Sequence, residues 1–407
     1  MNESLKDLST IEYGASPKEI RSNDYTSIGI YGTGGLVGSA TKSLFHGPLV
    51  VVARKGTLDK PLYINGDCWV IDTAYAVLPN ANVDAKWLYY NLLKFDLKKL
   101  NESTGVPSIS RDYLYRVTFE TFALPEQRKI ARILSAVDAV IEKTEAAIAK
   151  YKAIKSGMMR DLFTRGIDLK TGKLRPSYED APELYKQSEL GWVPKEWDVQ
   201  PLIKLSKDGL KNGYFKKPEY VGWGYKLINV TDLYQPFEID ICQKDVQRVF
   251  ATSSDYGKYE VQLGDLFFTR SSLVLEGIAH CNILLALPEK AVWECHVVRL
   301  RPDKQKINPK YLGCYCTTYE ARLFFMSIAK QVTMTTISQP DIAKLPVRFP
   351  SSIDEQNEIA KRFRAIDMNI RNEEVVQSKY QQLKAALMSD LLMGKVRVQF
   401  KEEKVET

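Results

Sequence analysis

The most constraining feature of this chain is that it contains itself twice. Glu126-Gln127 followed by Ile130-Ala131 returns as Glu355-Gln356 followed by Ile359-Ala360. At the same offset Ala136 meets Ala365, Asp138 meets Asp367 and Ile141 meets Ile370. Lys150-Tyr151 meets Lys379-Tyr380, and Lys155 meets Lys384. Across residues 126–162 this makes 14 identities in 37 ungapped positions, where unrelated sequence gives roughly two or three. Both copies are free of proline, and their apolar positions step alternately by four and three. In the first the seam is Ile130, Leu134, Val137, Ile141, Thr144, Ile148, Tyr151, Lys155, Met158 and Leu162. In the second it is Ile359, Phe363, Ile366, Ile370, Glu373, Gln377, Tyr380, Lys384, Leu387 and Leu391. A 3.5-residue period predicts a coiled-coil helix in each copy. Each would be a rod of roughly 56 Å, and a rod cannot bury a stripe by itself. Pairing with the other copy is the simplest solution.

The repeat extends outside the helices. Leu49–Thr57 and Asp265–Ser272 are apolar runs leading to a basic turn, with Arg54 opposite Arg270. Lys86-Trp87-Leu88 resembles Lys310-Tyr311-Leu312, and Ile109-Ser110 matches Ile337-Ser338. The expected organisation is a globular unit over 1–125, a long helix over 126–165, a polar linker over 166–195, a second globular unit over 196–350, a second long helix over 351–395 and a tail over 396–407. Within the units, strands are expected at Val50–Ala53, Tyr63–Ile64, Trp69–Val70, Tyr225–Val230, Leu266–Phe268, Ile283–Ala286 and Val297–Leu300. Helices are expected at Asp84–Leu100 and Pro309–Ala329, the latter opened by Asn308-Pro309. The fold class is therefore mixed, α/β or α+β.

Composition bounds the function. The chain has 407 residues, 44% hydrophobic and 26% charged, which is globular and enough for more than one core. No apolar run nears the ~20 residues of a membrane span, and the N-terminus reads as no signal peptide. Six cysteines make no disulfide scaffold, so a cytoplasmic protein is expected. The net charge of +7 is spread along the chain, so any nucleic-acid binding must use a focused patch.

A catalytic set does not emerge. Gly32-Thr33-Gly34-Gly35 lacks the third glycine of a dinucleotide fingerprint and reads as a turn between strands. Residues 166–173 depart from a Walker loop in length and in the residue that follows. His280-Cys281 and Cys295-His296 have the wrong spacing for zinc, and buried cysteines on neighbouring strands explain them better. Cys314 and Cys316 read as core. With three histidines no Ser-His-Asp arrangement stands out. No metal and no catalytic residue is expected.

Glycine-rich turns carrying basic and hydroxyl side chains do suit DNA: short hydroxyls reach phosphates, Arg reads guanine and Asn or Gln reads adenine. In the first unit the candidates are Tyr31, Thr33, Arg54, Lys55, Thr57, Ser108, Ser110 and Arg111. In the second they are Lys216, Lys217, Asn229, Thr231, Arg270, Ser271, Ser272, Thr335, Thr336, Ser338 and Gln339. The pairs Arg54/Arg270 and Ser110/Ser338 recur at matched positions. Two diverged units would read two different half-sites, a bipartite and asymmetric target whose spacing the helices set.

These motifs carry a family resemblance. Ile109-Ser110, Glu126-Gln127 and Ile130-Ala131 recur as Ile337-Ser338, Glu355-Gln356 and Ile359-Ala360. Together with residues 189–197 (ELGWVPKEW) and residues 390–398 (DLLMGKVRV), they resemble the specificity subunit of Type I restriction–modification systems over essentially the whole chain. The resemblance implies two target-recognition domains separated by an antiparallel pair of long helices. It implies double-stranded DNA as ligand, and a chain with no catalytic site or cofactor of its own. It also implies two methyltransferase subunits carrying S-adenosylmethionine, docked on the helical regions, and restriction–translocase subunits using ATP and Mg2+. The alternatives are a protein scaffold that reads no DNA, or a stand-alone methyltransferase or nuclease.

Overall fold

The two proline-free repeats fold as the two longest helices, Leu124–Thr164 and Ile353–Leu392. A computed structural model describes residues 2–22, 28–215, 217–235, 238–242, 246–331 and 333–399. Pro125 lies in the first turn of its helix, where no intrahelical N–H bond is lost. Both helices end at a glycine of positive φ, Gly166 (68°) and Gly394 (65°). At Gly166 a side chain would collide with Glu355 and Trp197, its Cβ falling 2.3 Å from the Glu355 carboxylate.

The chain forms two units, Met1–Ala146 with Glu373–Thr407, and Ala147–Asn372. Each therefore holds the start of one long helix and the end of the other. In the first unit a four-stranded antiparallel sheet runs in the order Ser9–Tyr13, Ala74–Pro79, Leu49–Ala53, Leu62–Ile64. Leu49–Ala53 is buried on both faces, which is why its sequence is continuously apolar. The helix Ala85–Lys94 packs against it. A second, five-stranded sheet includes the parallel pair Gly29–Tyr31 and Cys68–Val70. Leu5, Trp87, Leu88, Ile130, Leu134, Met388 and Leu391 share the main core, so the end of the second long helix is built into this unit.

The second unit repeats the plan. A four-stranded antiparallel sheet has the order Ser206–Asn212, Val297–Pro302, Leu266–Thr269, Cys281–Ile283. A separate three-stranded sheet holds the parallel pair Lys226–Ile228 and Ala291–Trp293. Asn2–Ser4 pairs with Thr118–Glu120 in the first unit, as Trp197–Pro201 pairs with Pro346–Pro350 in the second. The core joins Leu162, Phe163, Trp197, Tyr311, Ile359 and Phe363.

Within each unit the long helices lie against one another, and the polar seam positions account for it. Lys155 meets Asp367 at 2.5 Å in the second unit, and Lys384 meets Asp138 at 2.6 Å in the first. These are the same two repeat positions with the helices exchanged, as a pseudo-two-fold repeat requires. Gln377 donates to Glu145 at 3.0 Å. Every seam residue is buried or half-buried. Ile130, Leu134, Val137, Ile141, Ile148, Tyr151, Met158 and Leu162 thus face inward, as do Ile359, Phe363, Ile366, Ile370, Tyr380, Leu387 and Leu391. These side chains thus pack within the chain itself, as the pairing of the two copies requires.

Residues 166–195 differ from the expected polar linker. They form two hairpins, Ile167–Asp168 with Lys173–Leu174 and Tyr185–Ser188 with Gly191–Pro194, and Ile167 and Val193 are fully buried in the second unit's core. Polar composition concealed this, because only alternate residues of a hairpin face inward. The expected helix Asp84–Leu100 stops at Lys94, where Phe95 turns extended, and continues as the single turn Leu97–Leu100. Asp84 is its cap, accepting from the amides of Lys86 and Trp87. Pro309–Ala329 is two helices, because Thr318 caps a new one at Tyr319–Ile328. The strand expected at Ile283–Ala286 occupies Cys281–Ile283. The one expected at Tyr225–Val230 runs Val221–Ile228 and stops where Asn229 opens a short turn.

Candidate nucleic-acid interface

In both units the basic turn is held by the segment before the long helix. Ile109 N–H donates to the Arg54 carbonyl at 2.9 Å, and Ile337 N–H donates to the Arg270 carbonyl at 3.1 Å. Ser110 caps Arg111–Tyr115 by accepting from Tyr113 N–H, and Ser338 caps Gln339–Ala343 by accepting from Asp341 N–H. This arrangement explains the Ile-Ser dipeptide: the isoleucine is buried and the serine starts a helix. The same backbone bond thus fixes an arginine beside a capped turn twice.

In the first unit Lys55 bridges Ser108, and Gly56 N–H donates to the Pro107 carbonyl at 2.8 Å. Thr33, at the tip of the hairpin Ile28–Gly32 with Gly35–Ala40, lies against Gly56. Arg54, Lys55, Thr57, Ser108, Ser110, Arg111 and Thr33 are thereby brought to one edge. Tyr13, which sequence reasoning missed, lies between the Arg54 and Arg111 guanidinium groups, 5.4 and 5.1 Å from its ring centre. Its only signal is a strand-end aromatic in Ser9–Tyr13, and the two arginines come from distant segments. Tyr31 lines a different cleft, of about 570 Å³, with Tyr63, Tyr89 and Asp138.

In the second unit a cleft of about 520 Å³ is lined by Arg270, Ser271, Thr336 and Ser338, with His296, Lys330 and Met334 added. Its floor is a small antiparallel sheet in which Ser271 pairs with Thr336 and Ser272 with Thr335. Arg270 is exposed. The Asp341 carboxyl is held below its ordinary range, first by the Ser338 hydroxyl and then by Lys344. Nothing in the sequence marks Lys330 or His296, because they enter from separate segments, Lys330 from the short strand Lys330–Gln331 and His296 from the turn before Val297–Pro302.

Several candidates have local duties instead. Ser272 Oγ accepts from Val274 N–H at 3.2 Å, and Thr335 is buried. Asn229 caps a turn and its amide donates to the Leu227 carbonyl. Gln339 is half-buried within its short helix, while Thr231 and Lys217 are exposed, Lys217 lying 5.7 Å over Tyr220. Lys216 lies outside the described residues. Trp223 and Phe250, stacked at 4.5 Å, offer a further exposed aromatic face.

The Glu-Gln motif has a structural explanation. Gln127 accepts from Asp84 N–H and donates to the Phe122 carbonyl, both at 2.8 Å. Gln356 does the same with Asn308 N–H at 2.6 Å and the Pro350 carbonyl at 2.8 Å. Glu126 receives the Arg397 guanidinium through both oxygens, and Glu355 receives Arg175 likewise. Each glutamate is thus met by an arginine that follows the other long helix. The Arg397 hydrogen bonds hold the Glu126 carboxyl below its usual range.

Among the described residues no group of three or more His, Cys, Asp or Glu side chains could hold a metal. Cys281 is buried on its strand, and burial pushes its thiol well up. Cys314 is core, pushed to about 12 by burial. His280 stacks on Tyr234 at 4.7 Å, and burial lowers its pKa. Among the described residues no helix is long and apolar enough to cross a membrane.

Comparison with known proteins agrees with this organisation. The model of the Type I restriction modification DNA specificity domain matches residues 1–151 and 208–383. The chain is 26% identical over 325 residues to the Type I restriction enzyme MjaVIII specificity subunit of Methanocaldococcus jannaschii, covering 78% of this chain and 72% of that protein. It is 24% identical over 241 residues to the Type I restriction enzyme EcoKI specificity subunit of Escherichia coli K12, covering 59% of this chain and 48% of that one. Its fold is similar to that of the crystal structure of a Type I restriction–modification S subunit from M. genitalium, with a TM-score of 0.64, 13% identity, and coverage of 98% and 96% of the two chains.

Proposed function

This chain belongs to the Type I restriction–modification DNA specificity family, the non-catalytic subunits of these systems, and from that premise we propose that it reads an asymmetric bipartite duplex target. Each unit reads one half-site. Arg54 with Arg111 reads the first, and Arg270 with Ser271 and Thr336 reads the second. The observation that carries this is the recurrence of one cradle, an arginine carbonyl bonded to the isoleucine before a serine cap. In each unit that backbone bond leaves an arginine side chain at the rim, half-buried at Arg54 and exposed at Arg270. The long helices set the spacing between half-sites.

The partners follow from the family. Two methyltransferase subunits carry S-adenosylmethionine, and the restriction–translocase subunits use ATP and Mg2+, in the cytoplasm where host DNA is modified. Because the seam faces inward, the docking surface is the outward face of the helices. Val375 and Leu383 are exposed there in the first unit and Ile154 in the second.

Methylome sequencing of a host expressing the chain with its methyltransferase subunit tests the proposal. The expected result is a split, asymmetric methyladenine motif that vanishes when the chain is deleted. Arg54→Ala and Arg270→Ala are each expected to relax one half of the motif, costing about 1–3 kcal/mol of discrimination at the affected base pair. Methylation that persists without the chain would overturn the reading and leave a protein scaffold.

A further inference from the structure

The loop after Arg270 is fastened to the second unit at many points, yet its tip is apolar and bare. Leu273 is 85% exposed and Val274 58%. A single exposed leucine is ordinary on a protein surface, so exposure alone carries nothing. What sets this one apart is its mounting. On the near side Ser271 and Ser272 are paired with Thr336 and Thr335. On the far side Ile278 and Ala279 are fully buried. Between them the Arg322 guanidinium takes three carbonyls, those of Glu276 at 2.9 Å, Ile278 at 2.5 Å and Ala279 at 2.8 Å. The Gly277 carbonyl accepts from Thr269 Oγ1 at 2.8 Å and from the Tyr234 hydroxyl at 3.2 Å. A Cβ at Gly277 would fall 2.2 Å from Ser272 Oγ, so the two arms of the loop close on each other there. Ala279 holds a positive φ of 47°, the one non-glycine residue to do so among those described.

The surroundings of the tip identify what it meets. Arg270 and Ser271 precede it directly, and they line the cleft that also holds Lys330, His296 and Thr336, where the two basic side chains face one carboxylate, Asp341. An apolar tip of two residues is far too small for a protein–protein interface of the usual area. Beside a cationic cleft it fits a polyanion whose interior is apolar, which describes a stacked duplex.

We propose that Leu273 and Val274 form a preset wedge that enters the duplex beside Arg270 and unstacks one base step of the half-site read by the second unit. The inference rests on the reading of this chain as a DNA specificity subunit and adds to it a deformation of the target. Leucine is among the side chains that part base steps, and DNA steps differ in how easily they yield. The wedge therefore contributes specificity at a step that Arg270 does not touch. Its mounting lowers the ordering cost, since the loop is already fixed before DNA arrives. The matched turn of the first unit carries Thr57 in place of Leu273, so the deformation is confined to one half-site.

The test uses the whole subunit assembled with its methyltransferase subunits, on duplexes bearing the motif found by methylome sequencing. 2-Aminopurine is placed at successive positions through both half-sites. Apart from the target adenines, which the methyltransferase subunits extrude from the stack, the expected result is a fluorescence rise on binding at one step of the second half-site and at no step of the first. Leu273→Ala, an exposed change that leaves the core intact, is expected to abolish the rise and weaken binding about tenfold. Leu273→Phe is expected to keep it. Binding and fluorescence of Leu273→Ala equal to the unsubstituted protein would overturn the wedge while leaving the specificity reading standing. Loss of methyltransferase assembly in Leu273→Ala would overturn it too, by making the tip a protein contact. Absence of sequence-dependent binding by the unsubstituted complex would remove the reading beneath it.

Discussion

Glu355 and Gln356 are neighbours in sequence with separate tasks. The glutamine satisfies two backbone groups, and the glutamate neutralises Arg175, whose side chain is 12% exposed against 4% for the glutamate. Breaking a buried pair leaves a charge with no counterpart and costs more than the pair is worth. Glu355→Gln is therefore expected to lower stability by about 2–4 kcal/mol, read as a shift of the urea midpoint. The matching Glu126 gives a pH signature. Arg397 holds its carboxyl below the ordinary 4.5, so on acidification the unfolded chain takes up the proton first. The stabilisation is present in full above that ordinary value and is lost as the pH falls through the lower folded one. The midpoint measured between pH 7 and pH 3 is expected to fall less steeply in Glu126→Gln than in the unsubstituted protein. These pairs were not legible beforehand. The recurrence of Glu-Gln was visible, but its partners lie across the chain and only folding names them.

At the scale of elements, the period of the seam announced two long helices. Their polar seam residues announced less, because a lysine in an apolar stripe is equally a solvated edge or half of a pair. Folding makes both lysines halves of pairs, Lys155 with Asp367 and Lys384 with Asp138. A register slip would strand all four charges, so they specify the antiparallel alignment as polar seam residues do in coiled coils. Lys155→Ala and Lys384→Ala are each expected to cost about 1–2 kcal/mol, and, sharing no partner, to add within about 0.5 kcal/mol when combined. Denaturation of the two single variants and the double one checks this. The hairpins of residues 166–195 escaped sequence reasoning for the opposite reason. They are short and polar on one face, and what stabilises them is Arg175, Ile167 and Val193 docking into the second unit's core.

For the whole molecule the prediction concerns spacing. Adding one heptad to each long helix preserves the seam and lengthens each rod by about 10 Å, roughly three base pairs of duplex at ~3.4 Å each. The methylated motif is then expected to keep both half-sites and widen its gap by about three base pairs, as methylome sequencing would record. An unchanged gap would separate the helices from the spacing. Exchanging residues 1–125 for those of a relative is expected to change one half-site alone.

The sequence by itself determined the duplication, the two helices, the mixed character of the units and the family. All of these are written in local periodicity or in comparing one stretch with another along the chain. Tertiary structure alone decided which residues face one another. It brought two arginines to the ring of Tyr13, joined Lys330 and His296 to Arg270, and folded the supposed linker into a core. Periodicity is a property of neighbours along the chain, and it survives in the sequence. A cleft is a meeting of segments tens of residues apart, and its members carry no mark until the chain closes around them.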